Sequence, residues 1–185
     1  LSLVLLFVGL ATLYDFRCVK NFSLPEAMDS AQLARNIAEG QGYTTRFVRP
    51  FSLHLAQQHR EDRDPLLKTA HPDLANPPVY PVFLAGWLKL MPVRYEIPAK
   101  KVFRIYQPER WITAFNQILF FAAALLLFGL AKELFNRPAA WIAVPVFVGT
   151  ELFWRFSASG LSTMLLVVLV LALARCLVRL DSRQN

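Results

Sequence analysis

Four apolar runs carry the hydrophobicity of this chain: Leu1–Tyr14, Trp111–Ala131, Ala139–Trp154 and Leu161–Val178. A long polar stretch, 15–110, separates the first from the second. Apolar runs of about 20 residues are what helices need to cross a bilayer, where every backbone N–H and C=O must be satisfied within the segment. The layout predicts an all-α, polytopic transmembrane protein with one large external loop. The composition agrees: 55% of the 185 residues are hydrophobic and mean hydropathy is +0.37. A soluble domain is less apolar, at about 45–50%.

The net charge is +7. The basic residues are scattered among apolar segments and their flanks, and no nucleic-acid-binding motif accompanies them. Lipid phosphates are the better-matched partner, and nucleic acid is not expected. Cys18 and Cys176 sit in no metal-binding or CxxC spacing, and the topology places them on opposite sides of the membrane. The first run is short for a spanning helix. It lacks the basic start and small-residue cleavage site of a signal peptide, so it reads as a clipped first helix. The last helix ends the sequence, and the expectation is the N-terminal part of a longer protein.

Within the loop, two stretches have helical character. From Ser23, the apolar residues Ala27, Ala31, Ala34 and Ala38, with Leu33 and Ile37, form a stripe at helical spacing. Ser23 and Glu26 stand in the S-x-x-E relation of a capping box, Pro25 suits a first turn, and Gly40 suits a C-terminal cap. The second stretch, 79–91, is apolar but short and bounded by prolines. Its length favours lying in the interface, with Tyr80, Trp87 and Lys89 at headgroup level. Basic residues do not decide this. Lys132, Arg137, Arg175, Arg179 and Arg183 lie inside if 79–91 is flat; Arg94, Lys100, Lys101, Arg104 and Arg110 lie inside if it spans.

The run Ala34-Arg35-Asn36, then Gly40, Gly42 and Tyr43, with Asp29 before it, resembles a signature of the C-type (GT-C) membrane glycosyltransferases. There, an acidic residue behind the first transmembrane helix precedes an "ARN-x-x-x-G-x-GY" run. Pro77-Pro78-Val79-Tyr80-Pro81 and the residues to Leu90 resemble that superfamily's juxtamembrane element. The stretch from Leu127 to Val144 resembles one of its inner turns.

The resemblance implies an inner-membrane, multi-pass enzyme with its active site facing the periplasm or exterior. It implies a polyprenyl-phosphate sugar as donor and a lipid, glycan or protein as acceptor. It also implies two juxtamembrane amphipathic helices in the loop 15–110, and that the fragment alone is inactive. Asp29 occupies the place of the catalytic acid; the alternative is a solvated acid on a helix face. A base at this point would take the acceptor hydroxyl's proton as its oxygen attacks the anomeric carbon.

Glu26 competes, but capping gives it a structural role. Arg35 and Tyr43 belong to the run, and Arg35 either contacts a phosphate or extends to the interface. Arg46, Arg49 and Lys68 are further phosphate candidates, with surface charge as the alternative. His71 and Asp73 precede the prolines, where some family branches carry a lysine beside them; here Asn76 stands in that place. His-Pro-Asp is also good turn chemistry. Glu151, at the outer end of the third run, is the candidate for a second acid, because Ser162-Thr163 stands where many family members have one. His54, His59, Glu61, Asp62, Asp64 and His71 match no familiar metal spacing. No cofactor is expected, although the family chemistry is compatible with a divalent metal. From another class, the alternative is a non-catalytic polytopic protein, a transporter or assembly subunit, with polar or broken-helix sites at mid-membrane.

Overall fold

The computed structural model describes residues 2–18, 21–45, 71–73, 75–96 and 106–184. The candidates Arg46, Arg49, His54, His59, Glu61, Asp62, Asp64 and Lys68 lie outside them, as do Lys100, Lys101 and Arg104. The described residues are mostly helical and form two compact units: Leu1–Phe22 with Ile97–Asn185, and Ser23–Glu96.

The first unit contains α1 (Ser2–Cys18), α4 (Gln107–Leu134), α5 (Arg137–Gly149), α6 (Glu151–Ala158) and α7 (Thr163–Gln184). α4 is the central helix, packing on α5, α6 and α7. Phe120 on α4 is fully buried and anchors an aromatic core. Its ring centroid lies 5.5 Å from Phe7, 5.3 Å from Phe147 and 5.0 Å from Trp154. Edge-to-face geometry at these separations adds to the burial of the rings themselves.

α4 and α7 are each long and apolar enough to cross a membrane, and α5 with α6 qualifies only as a bent pair. Much of their apolar surface faces outward, including Leu125, Ile142, Leu166 and Leu173, as expected where lipid is the solvent. The third apolar run, expected as one helix over 139–154, is instead broken by 57° at Thr150. Pro145 within α5 has no N–H for the helix ladder. Thr150 then takes an extended conformation between the two helices. The bend carries Trp154 back onto Phe7 and Phe120, where its indole N–H donates to the Val148 carbonyl at 2.7 Å. Burying the largest apolar side chain offsets the lost backbone bonds.

Helix ends follow their local sequence. Asn136 caps α5 by accepting from the Ala139 N–H at 2.8 Å, with proline in the first turn. Residues 15–18, read from the sequence as the start of the polar stretch, continue α1 as helix. Beyond it, Asn21 accepts from the Tyr106 N–H at 3.0 Å, and Glu109 accepts from the Phe22 N–H at 2.9 Å. These bonds fasten the chain after α1 to the start of α4.

The second unit contains α2 (Pro25–Ala38), α3 (Val79–Leu90) and a two-stranded antiparallel hairpin of β1 (Thr44–Thr45) and β2 (His71–Pro72). Ala27, Leu33 and Ala34 of α2 are buried, as are Tyr80, Leu84, Ala85 and Leu88 of α3, and the two helices pack together. Small residues on the α2 stripe let the helices approach closely. The capping box does not form. Leu24 is the N-cap, without a side-chain cap bond, because Pro25 takes the first helical position. Gly40, at φ +79°, ends α2 as expected: its N–H bonds the Ile37 carbonyl and the Gln41 N–H bonds the Asn36 carbonyl. That is the paired 5→2 and 6→1 arrangement of a Schellman motif.

Candidate functional site

α2 sets the geometry around Asp29. Positions 29, 32 and 36 recur on one helix face. From that face, Gln32 accepts from the Thr45 hydroxyl at 3.4 Å, and the Asn36 amide donates to the Thr44 carbonyl at 2.7 Å. Asp29, half-buried, therefore stands one turn before the side chains that hold β1. Glu26 is exposed.

The opposite strand of the hairpin is locked by polar contacts. The Tyr43 hydroxyl donates to the Asn76 carbonyl at 2.6 Å. Buried Asp73 accepts from the Ala75 N–H at 2.8 Å and from the Asn76 amide. The Asp73 N–H reaches the Tyr43 carbonyl at 3.2 Å. Burial pushes the Tyr43 phenol above its ordinary pKa of 10.0, and the nearby Asp73 carboxylate adds to the rise. Tyr43, Asp73 and Asn76 are thus brought together, while His71 pairs with Thr45 in the strand register. Asp73 serves the turn, the alternative that His-Pro-Asp chemistry raised.

Arg35 makes an i,i+4 ion pair with Glu39 at 2.9 Å, and its guanidinium sits 4.3 Å from the centre of the Tyr95 ring. A phosphate would have to compete with both contacts. Glu151 belongs to the other unit. It opens α6 in an exposed ion pair with Arg155 at 2.9 Å, a contact worth little in water. Among the described residues, no group of three or more His, Cys, Asp or Glu side chains could hold a metal ion.

Sequence reasoning missed Asp15. It is half-buried, and its carboxylate accepts from the Gln117 amide of α4 at 2.6 Å. The available signal was a carboxylate at the end of an apolar run, opposite one of few amides in another. Asn116 is buried beside Gln117, and its amide donates to the Leu161 carbonyl at 3.4 Å. These two amides fasten α4 to the end of α1 and to the turn before α7.

Comparison with family models, curated proteins and solved structures finds no match.

Proposed function

We propose that this chain is the N-terminal part of a C-type membrane glycosyltransferase. In this reading it transfers a sugar from a polyprenyl-phosphate donor to an acceptor hydroxyl at the outer face of the membrane. The observation that carries the reading is the placement of Asp29. It is half-buried on α2, aligned with the residues that grip the hairpin, in a chain with helices apolar enough to cross a membrane.

The chemistry needs one base. The Asp29 carboxylate takes the acceptor's proton, the acceptor oxygen bonds to the anomeric carbon, and the bond from that carbon to the donor phosphate oxygen breaks. The polyprenyl phosphate leaves with the electron pair. A carboxylate suffices because the phosphate is already a competent leaving group. α3 supports a position along the membrane surface. Its Tyr80, Leu84 and Leu88 are buried, while Val79, Val82, Phe83 and Leu90 are exposed and apolar among the described residues, a face suited to the interface.

The test is Asp29→Asn in the full-length enzyme, assayed for consumption of lipid-linked sugar. The expected result is a folded protein with turnover reduced by about a hundred- to ten-thousand-fold. Glu26→Gln, which breaks no cap bond, should keep its activity. Normal turnover by Asp29→Asn would remove the base from Asp29.

One observation favours a transporter instead: the apolar helix pair broken at Thr150 has the broken-helix character of ion and solute sites. Under that reading the wild-type protein consumes no lipid-linked sugar.

A further inference from the structure

The first unit contains an apolar groove of about 930 Å³ between α1, α4 and α5. Leu6 and Leu10 line one wall, Phe128 the floor, and Trp141, Val144 and Trp154 the other side. Arg17 stands at one end and Arg137 at the other. From Leu3 to Arg17, the α1 wall rises about 21 Å, more than one leaflet of a hydrocarbon core about 30 Å thick.

Among the described residues, the two ends differ in charge. At the Arg17 end, the basic residues Arg17, Arg110 and Arg155 are matched by Asp15, Glu109 and Glu151, and Arg155 is paired with Glu151. At the other end, the described basic residues Lys132, Arg137, Arg175 and Arg179 stand with the acids Glu133 and Asp181. Glu133 is already engaged, accepting from Arg175 at 2.9 Å and Arg179 at 3.0 Å. Arg137 is exposed, stands where the groove ends, and opens α5, whose N-terminal dipole adds positive potential.

We propose that this groove binds an anionic phospholipid, with an acyl chain between α1 and α5 and the headgroup phosphate on Arg137. An apolar slot opening at a surplus of positive charge matches that ligand in both its parts. The site does not depend on any glycosyl transfer.

Trp141 and Trp154 line the groove and can report its contents. The full protein, carrying Trp87→Phe and Trp111→Phe, is placed in mixed micelles with phosphatidylglycerol or phosphatidylcholine brominated on the chains. Brominated phosphatidylglycerol should half-quench the fluorescence at a mole fraction at least about fivefold lower than phosphatidylcholine. Arg137→Gln should cut that preference about fivefold, since one basic residue at a membrane surface contributes about that factor. Arg17→Gln should leave the preference intact, and Val144→Phe should weaken quenching by both lipids. If the double tryptophan variant does not fold, native mass spectrometry of the unmodified protein reads the same competition as retained lipid. Equal response to the two lipids would overturn the proposal, as would an unchanged preference in Arg137→Gln. So would an absence of quenching by either lipid, which would mean that protein fills the groove.

Discussion

Tyr43 ties the hairpin to the turn before α3 through one hydroxyl, and its ionisation is a direct probe of that lock. The phenol donates to the Asn76 carbonyl, and ionisation removes the donor. Its folded pKa is raised above the unfolded value near 10.0, first by burial and then by Asp73. The folded state therefore holds the proton more tightly than the unfolded one. The stability this contributes is fully present below pH 10 and is lost as pH rises through the folded pKa. Alkaline titration, followed by tyrosinate absorbance, should show Tyr43 among the late-ionising tyrosines, with the second unit loosening as it ionises. Tyr43→Phe should shrink that late component and cost about 0.5–1.5 kcal/mol at neutral pH, the net worth of a hydrogen bond of this kind. A late component undiminished in Tyr43→Phe would place the raised pKa elsewhere.

At the scale of elements, the pairing of α4 with α7 depends on the one glycine in α4. A Cβ at Gly129 would lie 2.5 Å from the Arg175 guanidinium carbon. The glycine thus makes the space through which Arg175 reaches Glu133. Gly129→Ala brings two opposed effects. Alanine raises helix propensity by about 1 kcal/mol, and displacing the flexible end of Arg175 forfeits part of an ion pair worth about 0–1 kcal/mol where exposed. The net change in unfolding free energy should stay within about 1 kcal/mol on these terms. A double-mutant cycle with Glu133→Gln should still show coupling, because the alanine acts through Arg175. Strict additivity would mean that the guanidinium does not move.

Elements with strong periodicity or capping signals could be read from the sequence. The alanine stripe and Gly40 located α2, the bounding prolines located α3, and apolar length located α4 and α7. The break at Thr150 could not be read, because it is set by the burial of Trp154 against rings on α1 and α4. The capping box failed for a local reason, the claim of Pro25 on the first helical position. Around the candidate site, Asp29 and Tyr43 stood out by motif. The grip of Gln32 and Asn36 on the hairpin did not, since it depends on pairing across the turn at Gly40 and Gly42. Asp15 went unread because its partner Gln117 is distant in sequence.

For the whole molecule, the bonds from Asn21 to Tyr106 and from Phe22 to Glu109 bear on how the chain threads a bilayer. They hold residues 21–22 beside the start of α4. α3 is expected not to cross the bilayer as a single span. Length agrees, since twelve helical residues rise about 18 Å against a core of about 30 Å. The free cysteines give the measurement. Cys18 lies near the α4 start through the Asp15–Gln117 bond, and Cys176 near its end beside the Arg175–Glu133 pair. Gln117 and Glu133 are about 24 Å apart along the helix, while a disulfide needs Cα atoms within about 7 Å. The two thiols should therefore never crosslink, and a membrane-impermeant maleimide should reach them from opposite sides. A third cysteine introduced as Arg94→Cys should label with Cys18. Labelling of Arg94→Cys with Cys176 instead would mean that α3 crosses.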